Sequence, residues 1–213
     1  MSPIRAVISD FGGVLSSPLE AAFARVQGAS GVPSAAIGAA MARLAERDGH
    51  NPLFELECGR MSEHDFLERV GRQVSVDLGR EVEMHSFSAR WFAALETNHE
   101  MVEYLRGVRA RGYRTAILTN NVREWEPRWR SMLPVDEIFE LVIDSAFVGV
   151  RKPDPAIYEL TCERLGVPPG ACVFIDDTEV NCTAANELGI TAIHFQDTAQ
   201  TIRDVEAALT NAP

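Results

Sequence analysis

Several things are missing from this 213-residue sequence, and each absence closes off a class of function. Met1–Arg5 lacks a charged region followed by an apolar stretch, so no signal peptide is expected. No uncharged apolar run approaches the roughly 20 residues of a membrane span. Basic charge is scarce: 20 Lys and Arg stand against 31 Asp and Glu, a formal net charge of −11. Nucleic acid and anionic membranes both need a basic surface, so neither is expected as a partner. The four cysteines, Cys58, Cys162, Cys172 and Cys182, show neither CxxC nor Cys/His ligand spacing. They read as buried free thiols of a reducing compartment, and the expected location is cytoplasmic. There is no internal repeat or low-complexity stretch. What is present, 46% hydrophobic and 24% charged residues, is the composition of a globular protein with one domain, or a core carrying a smaller insertion. The acidic balance also sets a condition. An anionic substrate would need a local positive centre, such as a metal ion or a lysine.

One pattern occurs three times. Ile4–Ser9 runs into Asp10, Thr115–Leu118 into Thr119, and Ala171–Ile175 into Asp176-Asp177. Short apolar runs of this kind are buried strands of a parallel sheet, and their carboxyl ends open into the crevice where ligands bind. Asp or Thr after a strand can simply cap the next helix. Three such ends, with Lys152 between the second and third, describe a site assembled from distant segments.

From about Pro18 to Phe92 no convincing strand is visible. Helices are predicted over Leu19–Gln27, from Ser34 through Ala45 after Gly31-Val32-Pro33, over Phe66–Gln73 behind a capping-box-like Ser62…Asp65, and over Glu83–Ala94. Strand and helix then alternate. Helices are predicted over Glu100–Arg111, Glu124–Met132, Asp154–Leu165, Glu179–Leu188 and Thr198–Leu209, with strands at Thr115–Leu118, Glu140–Ile143, Cys172–Ile175 and Thr191–His194. The expected fold class is α/β, a Rossmann-like, doubly wound parallel sheet core with an inserted all-helical cap domain. The expected division is a discontinuous core of residues 1–16 and 93–213 and a cap of residues 17–92.

Asp10-Phe11-Gly12-Gly13-Val14-Leu15, Leu118-Thr119-Asn120, Arg151-Lys152-Pro153-Asp154-Pro155 with Tyr158, and Phe174-Ile175-Asp176-Asp177 with Asn181 and Gly189 together resemble, in order and spacing, the four motifs of the haloacid dehalogenase superfamily. The helical insertion resembles that family's small cap, and the first motif looks like the subgroup containing the phosphatase domain of soluble epoxide hydrolase and related sugar phosphatases. The resemblance implies a Mg²⁺-dependent phosphatase acting on a small phosphorylated metabolite, as a monomer or homodimer. By it, Asp10 is the nucleophile and a metal ligand, joined by the Gly12 carbonyl, Asp177 and Asp176. Thr119 and the Asn120 backbone would bind the phosphoryl group, and Lys152 would neutralise charge between that group and Asp10. Asn120 and Asn181 read as supporting or turn-forming residues rather than catalysts.

One departure stands out. Most phosphatases of the family carry a second aspartate two residues after the nucleophile, where this chain has Gly12. Glycine cannot protonate a leaving group. His50, His64 and Glu57 are candidate substitutes from the insertion, each equally readable as a solvated residue. A 2-haloacid dehalogenase and a non-catalytic domain binding a phosphometabolite or a partner are the alternatives. Phe54, Phe66, Trp91 and Phe92 could line a pocket or form the cap's own core. Trp125 and Trp129 could pack on the core or a cap edge, or form a dimer contact.

Overall fold

A computed structural model describes residues 3–19, 21–22, 24–25, 32–84 and 87–210. Five short strands, β1 (Ala6–Ser9), β2 (Arg114–Thr119), β3 (Leu141–Asp144), β4 (Cys172–Asp176) and β5 (Thr191–His194), form one parallel sheet in the order β3-β2-β1-β4-β5. The chain winds outward through β1, β2 and β3, then crosses to the other side of β1 for β4 and β5. The direction therefore reverses between β1 and β4, the place where an open α/β sheet leaves a crevice at its carboxyl edge. Ser9 lies opposite both Ile117 and Ile175, so Asp10 leaves the sheet beside the ends of its two neighbours.

Between β1 and β2 the described residues that form regular elements are helical: α1 (Ser34–Asp48), α2 (Pro52–Glu57), α3 (Glu63–Leu78), α4 (Phe87–Ala94) and α5 (His99–Ala110). Ser62 caps α3 as its spacing predicts, its Oγ accepting from the Asp65 amide at 3.1 Å. The helix runs past Gln73 to a left-handed Gly79. Other boundaries shift. The helix expected from Glu83 begins at Phe87, Glu83 and Met84 being non-helical, and residues 85–86 lie outside the described set. The predicted Leu19–Gln27 helix and the Gly31 turn fall partly outside it too. Helix α2 is new: Asn51 caps it, accepting from the Leu53 amide at 2.9 Å, with Pro52 at its first position. The predicted Glu124–Met132 helix is a 3₁₀ turn, Arg123–Trp125, followed by α6 (Glu126–Arg130). Short helices α7 (Val135–Ile138) and α8 (Ser145–Val148) flank β3.

The sheet is covered on both faces. Val7 of β1 joins Met101 and Leu105 of α5 and Val205 of α11 (Thr198–Thr210) in one core cluster. Its neighbours Ala6 and Ile8 point the other way, to Ile157 and Leu165 of α9 (Pro155–Leu165) and Ala185 of α10 (Glu179–Glu187). That alternation is the period of two along a strand, here apolar on both sides because both sides are buried. The insertion has its own cluster around Leu44, Leu56, Phe66, Val70 and Met84. The two chain segments joining it to the sheet run antiparallel: Ser16 bridges Thr97, the Ser17 amide donates to the Glu96 carbonyl at 2.7 Å, and the Asn98 amide to that of Leu15 at 2.9 Å. All four cysteines are free and buried. Among the described residues no helix is long and apolar enough to cross a membrane.

Asp144, at the end of β3, caps α8 by accepting from the Ala146 amide at 3.0 Å and is only 4% exposed. Burial pushes its carboxyl up to about 6; the Glu126 carboxylate adds to this, and the Ala146 amide and Trp129 indole oppose it. A carboxyl raised on folding binds its proton more tightly in the folded chain. Its stabilising contribution is therefore full below the unfolded value near 4 and lost as pH climbs through about 6, by at most about 3 kcal/mol. Asp144→Asn is expected to raise the denaturation midpoint at pH 8 and to leave it nearly unchanged at pH 4. An equal shift at both values would exclude titration of Asp144 as the cause.

Candidate active site

Asp10 follows β1 directly and is 8% exposed. Its amide donates to the Ile175 carbonyl at 2.8 Å, extending the strand pairing, and its Oδ1 accepts from the Phe11 amide at 2.7 Å. Asp176 closes β4, fully buried, and Asp177 follows it. Carboxylate oxygens of Asp10, Asp176 and Asp177 all lie within 4.8 Å of one another. Thr119 ends β2 beside them, almost fully buried. The three strand ends singled out in the sequence thus meet.

Lys152 is the one lysine in the chain; the other basic residues among the 20 are arginines. It is fully buried, with Nζ 2.9 Å from Asp10 Oδ1, 2.6 Å from Asp176 Oδ2 and 2.9 Å from the Leu118 carbonyl. Those three acceptors match the three N–H donors of an ammonium. Burial disfavours its charge, but Asp10 and Asp176 outweigh that and hold it above the ordinary lysine value. Asn120 fixes its backbone from both ends of one amide: Oδ1 accepts from the Lys152 amide at 2.8 Å and Nδ2 donates to its carbonyl at 3.0 Å. The Asn120 side chain is therefore committed to holding Lys152. Asn181 does the same for Asp176, donating to both its oxygens at 3.0 and 3.2 Å, while the Tyr158 hydroxyl donates to the Asn181 carbonyl at 3.0 Å. Gly189 takes the left-handed turn, φ 82°, that ends α10 before β5.

The carboxylates are under electrostatic load. Burial pushes Asp10 up to about 7, with Asp176 and Asp177 adding to the rise and Lys152 opposing it. Burial, then Asp176, also raises Asp177. Three carboxylates against one ammonium leave an excess of two negative charges when all are ionised. Hard oxygen donors with that excess suit a divalent cation such as Mg²⁺. The backbone makes room for the arrangement at Gly13, φ 74°, where a Cβ would stand 2.1 Å from Asp177 Oδ2. Gly12 is not in the left-handed region, and a Cβ there would first meet the Leu19 side chain, at 3.3 Å.

Beside this cluster lies a chamber of about 280 Å³, floored by Phe11, Gly12, Thr119 and Asn120 and walled by the insertion. Phe66, Trp91 and Phe92 line it while also packing in the insertion's clusters, so the two readings of these aromatics hold together. Phe54 does not line it: 42% exposed, it carries the Arg151 guanidinium 4.0 Å above its ring. Trp125 also lines the chamber, stacked near Phe87, tilted against Trp91 and edge-on to Phe92. Trp129 is fully buried against Phe11, so the two tryptophans form no exposed pair. Of the insertion's candidate acids, His50 and His64 are exposed. Glu57 reaches the chamber, where Arg151 Nε holds its Oε2 at 2.6 Å and burial raises its carboxyl. Glu63, not singled out in the sequence, lines it as well; nothing in its local pattern separates it from other first-turn helix acids.

The chain is 33% identical over 210 residues to acyl-CoA dehydrogenase family member 10 of Mus musculus, covering 96% of this chain and 19% of that protein. It is 27% identical over 212 residues to bifunctional epoxide hydrolase 2 of Sus scrofa, covering 95% and 38%. The chain thus spans about a fifth to two fifths of these relatives. Sesquiterpene phosphatase astK of Aspergillus oryzae is 23% identical over 158 residues, 71% of this chain and 76% of that one. Among solved structures, a predicted HAD-like family hydrolase from Porphyromonas gingivalis superposes with a TM-score of 0.73 at 24% identity, covering 98% of each chain. A HAD family enzyme of Bacteroides thetaiotaomicron, in complex with magnesium and inorganic phosphate, gives 0.66 at 22%, covering 90% and 93%. The model of one hydrolase family matches residues 4–189, the span holding every motif residue above, and the chain belongs to that family, the haloacid dehalogenase-like hydrolases.

Proposed function

We propose that this hydrolase is a Mg²⁺-dependent phosphatase acting on a small phosphorylated metabolite, with residues 1–16 and 93–213 as its catalytic core and residues 17–92 as a cap over the leaving group. The observation that carries the reading is the meeting of Asp10, Asp176 and Asp177 around the single buried lysine. A relative named as a sesquiterpene phosphatase supports it. A dehalogenase attacking carbon has no use for the Asp176-Asp177 pair, which only adds repulsion around Asp10.

Asp10 attacks phosphorus, and the ester oxygen leaves with the bonding pair, giving an aspartyl-phosphate. Water then attacks phosphorus, inorganic phosphate departs, and the Asp10 carboxylate is regenerated. The Thr119 hydroxyl donates to a phosphoryl oxygen, and the Lys152 ammonium, its three donors engaged, neutralises charge between that group and Asp10 as it builds. Asn120 and Asn181 keep Lys152 and Asp176 in place. Asp10, Asp176, Asp177 and the Gly12 carbonyl would hold Mg²⁺, which supplies the charge neutralisation that lets a carboxylate approach a phosphate.

Three outcomes follow from these roles. Phosphate release from p-nitrophenyl phosphate should require Mg²⁺, stop with EDTA and be lost in Asp10→Asn; release that survives both changes would remove Asp10 from the chemistry. Because Gly12 cannot protonate a leaving group, aryl phosphates should be cleaved far faster than alkyl phosphates at matched binding. Gly12→Asp should narrow that gap, within the roughly 10²–10⁴-fold that general acid catalysis supplies. Equal wild-type rates on both ester classes would point to an acid already present, with Glu57 the residue to test. Finally, Gly13→Ala forces Asp177 aside and should raise the Mg²⁺ concentration needed for half-maximal activity by at least tenfold, measured by metal titration; an unchanged requirement would take Asp177 out of the metal site.

A further inference from the structure

The chamber beside Asp10 has a chemistry of its own. Its wall is almost entirely apolar, with Met41 from α1, Leu56 from α2, Phe66 from α3, Trp91 from α4, and Val122 and Trp125 from the segment after β2. Such a wall offers nothing to the row of hydroxyls on a sugar, each of which would lose water on entry without a new partner. The polar side chains that do reach it are mostly engaged. Asn120 holds Lys152, Asn121 Oδ1 accepts from the Val122 amide at 2.9 Å, and Glu57 is held by Arg151. Two residues of its lining each carry a buried atom with no partner: Glu63 at the acceptor Oε1 and Trp125 at the donor Nε1. A hydroxyl can donate to the first or accept from the second; an ammonium could serve only Glu63. At about 30 Å³ per water-sized group, 280 Å³ holds roughly nine such groups.

We infer that the substrate is the phosphate monoester of a largely apolar alcohol of roughly eight to ten heavy atoms, with its phosphoryl group at Asp10, its body in the chamber and a second hydroxyl near its far end for Glu63. The inference rests on the phosphatase reading and adds the substrate class to it. The phosphoryl end takes the charge-bearing residues and the far end takes one hydrogen bond, which would select among alcohols of equal length.

Phosphate release is to be measured with ethyl, butyl and octyl phosphate, 8-hydroxyoctyl phosphate, glucose 6-phosphate and p-nitrophenyl phosphate. In parallel, tryptophan fluorescence is titrated with octylphosphonate and 8-hydroxyoctylphosphonate, since Trp91 and Trp125 line the chamber. The expected result is a kcat/KM that climbs about fourfold per methylene until the chamber is full, with 8-hydroxyoctyl phosphate about tenfold above octyl phosphate. In Glu63→Leu the octyl ester should overtake its hydroxylated analogue, and Glu63→Gln, which keeps an acceptor, should retain part of the preference. Turnover of p-nitrophenyl phosphate with glucose 6-phosphate preferred over every alkyl ester would overturn the inference and leave the phosphatase reading intact. So would a hydroxyl preference unaffected by Glu63→Leu, for the distal contact. No release from any ester, with the fluorescence still reporting saturable octylphosphonate binding, would overturn the phosphatase reading while leaving the apolar chamber standing as a binding site.

Discussion

The site depends on one buried ammonium. Lys152 is fully buried, and the ends of β1, β2 and β4 each offer it an acceptor: Asp10, the Leu118 carbonyl and Asp176. Removing it would leave two carboxylates facing each other away from solvent, and breaking a buried pair in this way commonly costs about 3–5 kcal/mol. The same contact aims the Asp10 carboxylate and ties three strand ends into one edge. Its own position is secured through the backbone, by the two-point clamp from Asn120. In a chain of net charge −11 this ammonium offsets part of the carboxylate charge gathered at the sheet edge.

Around that ammonium the negative charges are in excess, and the fold does little to relieve them. Asp10 and Asp177 are held above ordinary carboxylate values, and Asp177 is brought this close only because Gly13 has no side chain to obstruct it. A merely structural arrangement would gain by exchanging one of these acids for an amide or an apolar residue, because unbalanced buried charge is destabilising. Its presence here is what a site prepared for added positive charge looks like.

Much of this was legible in the sequence because the relevant signals are local and punctuated. The three strands that meet at the site, β1, β2 and β4, are mostly apolar runs stopped by Asp or Thr, so both the parallel sheet and the edge where the site lies follow from reading where those runs end. Lys152 was legible only through its neighbours in the motif. The helical insertion was harder. Helix α2, six residues long, is too short to show a period, and its signal lies in the Asn51-Pro52 cap instead. Glu83 and Met84 carry no breaker, yet α4 starts only at Phe87. The aromatic residues gave period but not direction: Phe54 and Phe66 read alike, and only packing turns one outward under Arg151 and the other into the chamber. Glu63 was invisible, because a first-turn acid on a helix is ordinary and only the lack of a partner for its oxygen marks it.

The insertion also explains how one short sheet edge can serve both ends of a ligand. It leaves the chain a few residues after Asp10 and returns before α5, its two connecting segments paired through Ser16 and Thr97. The chamber roof is therefore tied to the turn that follows Asp10, while contacts such as Glu57 with Arg151 tie it to the residue next to Lys152. Polar and apolar regions meet across Gly12 and Thr119, with the charged cluster on one side and the aromatic wall on the other. Had Gly12 been an aspartate, a fourth carboxylate would stand at that boundary, adding to the repulsion already felt by Asp10. On the phosphatase reading, glycine there separates proton transfer from phosphoryl transfer. The rate on any ester then rests on how well its leaving group bears charge and how well the chamber holds it.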